Sequence, residues 1–231
     1  MARRIKNQQK GDETLVNIVE ARDAAQDFFD QNKKWLMIGA SAFAVLVGGW
    51  WAYKNFYVQP RQDEAVEQMF QAQLQFERDS FTLALTNPGG GYSGFLDIID
   101  NYKGTPAANL ANYYAGISYL NLGQFEAALD YLKSYKPGGE IGPVLKFGAL
   151  GDAYSELGNF DSALKSYKDA VSAADNEAIT PYYMKKLGLL YEKQGQHSDA
   201  KAIYERIKSE YPNSPIAVDI EKYIIRAGSR G

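Results

Sequence analysis

Cysteine is absent from the 231 residues of this sequence, and histidine occurs once. Without cysteine the chain can form neither a disulfide framework nor a thiolate zinc site, and it has no cysteine nucleophile. The single histidine, His197, lies in a predicted turn, where a solvent-exposed side chain is the ordinary expectation. The sequence also lacks a Gly-x-Ser-x-Gly elbow and a His-Glu-x-x-His pair. We therefore expect a non-enzymatic protein with no catalytic, metal or cofactor site.

An excess of positive charge is also missing. The chain has 28 acidic and 25 basic side chains, a net charge of −3, and the acidic excess lies after residue 34. A mildly acidic domain lacks the basic surface that attracts nucleic-acid phosphates. The chain is therefore not expected to bind nucleic acid.

Charge of either sign is absent from Trp35–Tyr53. As a helix this stretch would span about 28 Å, close to the ~30 Å hydrocarbon core of a bilayer. Trp35 stands at one edge and Trp50 and Tyr53 at the other, as aromatic residues do at membrane interfaces. A soluble core helix would show polar residues at helical spacing. A cleaved signal peptide would have a shorter apolar run nearer the N-terminus and a small-residue cleavage site. We predict an uncleaved transmembrane anchor at residues 35–57.

The charges that flank this anchor predict its orientation. Seven lysines and arginines occur within residues 1–34, whereas the twenty residues after Tyr53 contain only Lys54 and Arg61. Lys and Arg are retained on the cytoplasmic side of a membrane. The N-terminus should therefore be cytoplasmic, and the C-terminal domain should lie across the membrane.

The predicted cytoplasmic tail, residues 1–34, has an apolar pattern of its own. An amphipathic helix running into the membrane is indicated, and it either rests solvated against the headgroups or binds a partner. The apolar side chains at helical spacing are Leu15, Ile18 or Val19, Ala25 and Phe29.

A pattern of small and aromatic residues occurs three times in the second half of the chain. A Gly is followed at intervals of three, four, five and four residues by Tyr, Gly, Ala and a large residue, and the copies are 35 and 37 residues apart. We expect the first Gly to admit a close second helix, the Tyr to fill the space between the two helices, and the second Gly to end the first helix in a left-handed conformation. The Ala should let the second helix approach, and the large residue should pack on the next repeat. The copies are Gly116-Tyr119-Gly123-Ala128-Leu132, Gly151-Tyr154-Gly158-Ala163-Tyr167 and Gly188-Tyr191-Gly195-Ala200-Tyr204.

This pattern resembles the tetratricopeptide repeat, a helix–turn–helix unit of about 34 residues, although no Trp stands near the start of each copy. The resemblance implies an all-α fold, an α-solenoid in which helix pairs form a right-handed superhelix after a single transmembrane helix. Three repeats are placed at residues 109–213, with leading helices and a degenerate repeat at 58–108 and a C-terminal capping helix and tail at 214–231.

The segments that flank the repeats predict further helices, over about residues 61–85 and 92–101 before them and 215–226 after them. Thr105 and Ser214 are predicted N-caps, each followed by Pro at the first helical position. Such atypical terminal units are expected at the ends of a repeat array.

Superhelical repeats present a concave groove lined by the first helix of each pair. Tyr113, Ile117 and Asp152 stand where a clamp for a C-terminal carboxylate would need Lys and Asn, so that binding mode is not expected. An apolar groove suits an extended or helical polypeptide with hydrophobic anchors; alternatively, its apolar residues simply pack on the leading helices. The candidate groove residues are Leu110, Tyr113, Ile117, Leu120, Asp152, Tyr182 and Lys185, with Leu145, Gly148, Ser155, Leu189 and Glu192 at the remaining positions of the same register.

The layout of basic tail, single span and repeat domain resembles the ancillary SecYEG translocon subunit (YfgM-like) family. That resemblance implies a single-pass protein of the bacterial inner membrane with its repeats in the periplasm, in contact with translocon subunits, periplasmic chaperones or exported polypeptides. The leading interpretation is a membrane-tethered adaptor or scaffold. The alternative is a structural assembly subunit of a larger envelope complex, or a homo-oligomer formed through the span, because Ala40, Ala44 and Gly48 form a small-residue stripe that permits close helix association.

Overall fold

The computed structural model describes the backbone of residues 2–230 and the side chains of residue 22 and residues 26–230. Every regular element in this part of the chain is helical, as the repeat pattern predicts. The chain divides into two compact units, Met1–Tyr57 and Val58–Gly231.

The first unit is the long helix α1, Ala2–Tyr53, which a π-helical turn, Lys54–Val58, follows. Within the described residues, one helical window is long and apolar enough to cross a membrane. Its large apolar side chains, Phe43 and Val45 among them, are mostly exposed. The described chain therefore supplies no apolar environment for this stretch. The backbone of the predicted amphipathic helix belongs to α1, but the side chains of Leu15, Ile18, Val19 and Ala25 lie outside the described residues.

The second unit begins with three leading helices, α2 (Gln59–Glu77), α3 (Phe81–Thr86) and α4 (Phe95–Asn101). The prediction of one helix over residues 61–85 is wrong, because the chain turns after α2. Asp79 adopts a left-handed conformation with φ of 56°, and the amide of Ser80 donates to the carbonyl of Gln75. These are the features of a Schellman motif, which ends a helix by satisfying its last carbonyls.

Three helix pairs follow the leading helices. The first helix of each pair ends at a glycine with φ of 72°, 72° or 75°, and the next amide donates to the carbonyl of the repeat tyrosine. The predicted left-handed helix ends are therefore confirmed. The pairs are α5 (Pro106–Asn121) with α6 (Phe125–Ser134), α7 (Ile141–Glu156) with α8 (Phe160–Ala173), and α9 (Thr180–Lys193) with α10 (His197–Glu210).

The first glycine of each copy is a point of close helix contact, as predicted. A Cβ placed on Gly151 would lie 2.5 Å from the ring of Tyr167, and one on Gly188 would lie 2.3 Å from the ring of Tyr204. The corresponding distance from Gly116 to Leu132 is 2.6 Å. The large residue therefore packs first on the glycine of its own pair, and not only on the next repeat as expected.

The repeat tyrosine contacts a ring of its own pair in the first copy and a lysine of the preceding pair in the other two. Tyr119 stacks on Tyr131 of its own pair, with ring centroids 5.3 Å apart. Tyr154 and Tyr191 instead lie beneath lysines of the preceding pair, with the ammonium of Lys133 5.6 Å from the centroid of Tyr154. The ammonium of Lys168 is 5.5 Å from the centroid of Tyr191. These cation–π contacts recur at the same place in successive units.

Capping of the flanking helices agrees with the sequence at one end and differs at the other. Thr105 is the N-cap of α5, its hydroxyl accepting a hydrogen bond from the amide of Ala108, with Pro at the next position. The hydroxyl of Ser214 accepts from the amide of Ala217 at 3.2 Å, but the element that follows is a turn of 3-10 helix, Ala217–Asp219, whose N-cap is Ile216. The terminal helix α11, Ile220–Gly228, begins only after that turn.

Candidate functional site

Two clefts are lined in part by the first helices of the second and third pairs, α7 and α9. The central cleft has a volume of about 310 Å³, and the apolar cleft has a volume of about 270 Å³. The central cleft is lined by Leu120, Asp152, Ser155, Glu156, Tyr167, Lys186, Leu189, Leu190 and Lys193. The apolar cleft is lined by Leu145, Ala178, Ile179, Tyr182, Tyr183, Pro215 and Ile216.

The central cleft is built around the carboxylate of Asp152 on α7. This carboxylate accepts hydrogen bonds from the ammonium of Lys186 on α9 at 2.6 and 2.7 Å, and from the hydroxyl of Tyr167 on α8 at 2.6 Å. Burial alone would lower the pKa of Lys186, but the charge of Asp152 and its hydrogen bond outweigh burial and raise that pKa. The site therefore offers a ligand a neutralised ion pair, not a free carboxylate.

Three leucines surround this ion pair. Leu120 comes from the end of α5, and Leu189 and Leu190 come from α9. Polar groups within an apolar rim can hydrogen-bond to the backbone of a bound chain while the rim contacts its side chains. The central cleft is therefore suited to a polypeptide segment more than to an ion.

The apolar cleft opens beside the two neighbouring tyrosines at the start of α9. The ring of Tyr183 is buried and covers Gly148, where an added Cβ would meet it at 2.0 Å. Tyr182 is exposed at the rim, and its ring lies 5.0 Å from that of Tyr183 in a T-shaped arrangement. With Leu145 opposite, this cleft has room for one large apolar side chain.

The predicted groove residues fall into two groups. Leu120, Asp152 and Tyr182 line the clefts, as do Leu145, Ser155 and Leu189 from the same register. The structure does not bring the remaining residues into either cleft, and Gly148 lies under the ring of Tyr183. The other residues outside the clefts are Leu110, Tyr113, Ile117, Lys185 and Glu192.

Those remaining residues have packing partners within the repeat unit. Leu110 packs against the core of the leading helices, and Ile117 packs against the core shared by α5, α6 and α7. The ring of Tyr113 lies 5.3 Å from that of Tyr135, and burial raises the pKa of Tyr113 to about 12. The ammonium of Lys185 lies 4.7 Å from the ring centroid of Tyr223 in α11.

Lys186 is a cleft residue that sequence reasoning missed. Its bond to Asp152 spans 34 residues, and a second ion pair with the same spacing joins Glu192 to Arg226 at 2.8 Å. In both ion pairs, opposite charges lie one repeat length apart in the sequence. This spacing is a signal that could have identified both ion pairs. Among the residues whose side chains are described, no group of three or more His, Cys, Asp or Glu is placed to hold a metal ion.

Models of the tetratricopeptide repeat match this chain in three segments, residues 110–136, 147–177 and 186–214. The comparison with curated proteins finds no match. Each matched segment falls on one of the three helix pairs. The chain therefore contains three tetratricopeptide repeats, and the predicted fold class is confirmed. Repeats of this type generally form surfaces that bind other proteins.

Proposed function

We propose that these three tetratricopeptide repeats belong to a membrane-anchored, non-enzymatic adaptor or scaffold that binds a polypeptide segment in the two clefts. The observation that supports this most strongly is that residues of the same two helices, α7 and α9, line both clefts. A bound segment would place one large apolar side chain in the apolar cleft. Its backbone amides would then lie over the Asp152–Lys186 pair and the leucines around it.

Replacing Leu145 with Asp tests the clefts as the binding surface. A carboxylate in the apolar cleft has no cation partner there, so we expect partner recovery to fall about ten-fold, which corresponds to about 1.4 kcal/mol. The measurement is crosslinking mass spectrometry on intact membranes containing the full chain. Leu157→Asp is the matched control, because Leu157 is an exposed residue at the end of the same helix and lies outside both clefts. Equal partner recovery from the two variants, with unchanged thermal unfolding, would contradict the proposal.

The proposed anchor is residues 35–57, which would hold the chain in the bacterial inner membrane with the N-terminus cytoplasmic and the repeats periplasmic. Support comes from the charge-free sequence of the stretch, the exposure of its apolar side chains, and the seven cations that precede it. The resemblance to the ancillary SecYEG translocon subunit family supports a finer proposal. The partners would be translocon subunits, periplasmic chaperones or exported polypeptides.

Val45→Asp tests this anchor. An Asp near the centre of a spanning helix opposes insertion by about 3 kcal/mol, so we expect most of the protein to leave the membrane fraction. A reporter that is active only outside the cytoplasm, fused after Gly231, should lose its activity in the same variant. Val45→Leu is the control and should behave as the native chain does. If the Val45→Asp variant stays in the membrane fraction, residues 35–57 are not the anchor. If the native fusion is stable but its reporter is inactive, the proposed orientation is wrong.

A second candidate function, a structural subunit of a larger envelope complex, is supported by the surface of α1. A Cβ added at Gly48 would meet no atom within 4 Å, so the small-residue stripe of Ala40, Ala44 and Gly48 is open to another helix. Such a helix could belong to a different protein or to a second copy of this chain. Crosslinking within the bilayer distinguishes the two functions. The span of an assembly subunit should crosslink to another helix, whereas the span of an adaptor needs no such partner.

A further inference from the structure

The leading helix of the repeat unit has an exposed apolar surface. Val66 and Phe70, one turn apart on α2, are 49% and 59% exposed and form what we name the leading face. The opposite side of α2 is buried in the core through Ala65, Met69 and Ala72. The leading face therefore remains available after α2 has packed on its own unit.

A second exposed apolar surface lies at the other end of the same unit. Val218 and Ile225 are 84% and 63% exposed and form the terminal face. The buried side of α11, Ile220, Ile224 and Ala227, belongs to the core that α9 and α10 also build. Helix α10 packs on α11, as each second helix packs on the first helix that follows it. Within the described residues, Val218 and Ile225 stay exposed beside this contact, so the terminal face is a free surface.

The two segments that carry these faces have opposite net charge. Helix α2 has four carboxylates and one arginine, a net charge of −3. Residues 217–230 have three cations and two carboxylates, a net charge of +1. Opposite charges favour contact between the two faces, while contact between two leading faces would bring like charges together. Anionic lipid headgroups would likewise repel the carboxylates of α2.

We infer that the leading face of one copy docks on the terminal face of a second copy of this chain. Helix α2 would then pack on α11, with Val66 and Phe70 against Val218 and Ile225, and the stacking of helices would continue from one copy to the next. The contact is heterologous, so it closes into a ring or extends as a row. None of its four apolar residues lines either cleft.

The absence of cysteine from the native chain makes a directional crosslinking test possible. Glu67→Cys borders the leading face, and Ser229→Cys borders the terminal face; both positions are exposed. The purified full-length variants are mixed in detergent and treated with a short bis-maleimide. We expect a crosslinked dimer in the mixture and only background from either variant alone. Asp161→Cys, exposed on α8, sets the background level in a mixture with Ser229→Cys.

A second arm tests whether the apolar faces hold the contact. Phe70→Asp, added to Glu67→Cys, should reduce the crosslinked fraction at least ten-fold, whereas Leu122→Asp, at an exposed leucine outside both faces, should leave it unchanged. Because Phe70 is exposed, the thermal midpoint should stay the same and exclude unfolding as the cause. Crosslinking of Glu67→Cys with itself would assign the leading face to a symmetric pair and overturn the inference. The inference is also overturned if the mixture shows only background crosslinking, or if Phe70→Asp leaves the crosslinked fraction unchanged.

Discussion

Replacing Tyr204 with alanine is expected to lower the free energy of unfolding of the repeat unit by about 3–5 kcal/mol. Tyr204 is fully buried and is the largest such side chain in the core. Its ring packs on the glycine face of α9 at Gly188, and its centroid lies 5.4 Å from that of Tyr223 in α11. Truncation would leave a cavity where the third repeat meets the terminal helix, and rigid helix backbones on both sides prevent its collapse. Urea unfolding followed by circular dichroism measures the change.

Tyr204→Phe is the matched control for this variant. It keeps the ring that fills the space and removes only a buried hydroxyl that makes no hydrogen bond to any described residue, so its cost should be below about 1 kcal/mol. If the alanine and phenylalanine variants lose the same amount, the ring does not carry the stability assigned to it. Gly188→Ala examines the same contact from the other helix, where a Cβ 2.3 Å from the ring forces one of the two elements to move.

Lys186→Met is expected to cost about 2–3 kcal/mol. It removes the ammonium from Asp152 and leaves the carboxylate, 22% exposed, with the Tyr167 hydroxyl as its remaining side-chain donor. Breaking a fully buried pair costs about 3–5 kcal/mol, and partial exposure to water reduces that figure. The double variant Asp152→Leu with Lys186→Met should recover part of the loss: it leaves no unpaired charge, but it removes the acceptor of the Tyr167 hydroxyl, which is left without its hydrogen bond.

An exposed ion pair provides the comparison for Lys186. Lys165 and Asp169 are joined at 2.8 Å on the surface of α8, where solvent screens their attraction. Lys165→Met should therefore cost about 0.5 kcal/mol or less. If both lysine variants lost equal stability, or if the double variant were less stable than Lys186→Met alone, burial of the Asp152 charge would not be the cause.

The helix ends and helix contacts of the repeats could be predicted from the sequence because their causes are local. A glycine that must adopt a positive φ, or admit a ring against the backbone, tolerates few substitutes, so Gly158 and Gly188 recur at fixed positions. The end of α2 has the same Schellman geometry but uses Asp79, which the sequence does not distinguish from any other acidic surface residue. For that reason the break between α2 and α3 was not predicted.

The clefts could be predicted only in part, because the repeat register assigns groove positions on each first helix separately. It places Leu145, Asp152 and Tyr182 on the surface that the clefts occupy. It cannot show that the ring of Tyr183 lies over Gly148, or that Lys186 reaches Asp152 from the next helix. Those contacts depend on the separation of two helices about one repeat apart in sequence, which the packing of the whole unit determines.

Two ion pairs spaced by 34 residues connect α7 to α9 and α9 to α11. A solenoid bends chiefly by changing the angle between neighbouring units, and a bond between successive first helices resists that change. The surface that carries the clefts is thereby pre-organised, so less conformational freedom is lost when a ligand arrives. Because both ion pairs are largely shielded from solvent, added salt should weaken them little, and the array should keep its stiffness as the ionic strength rises.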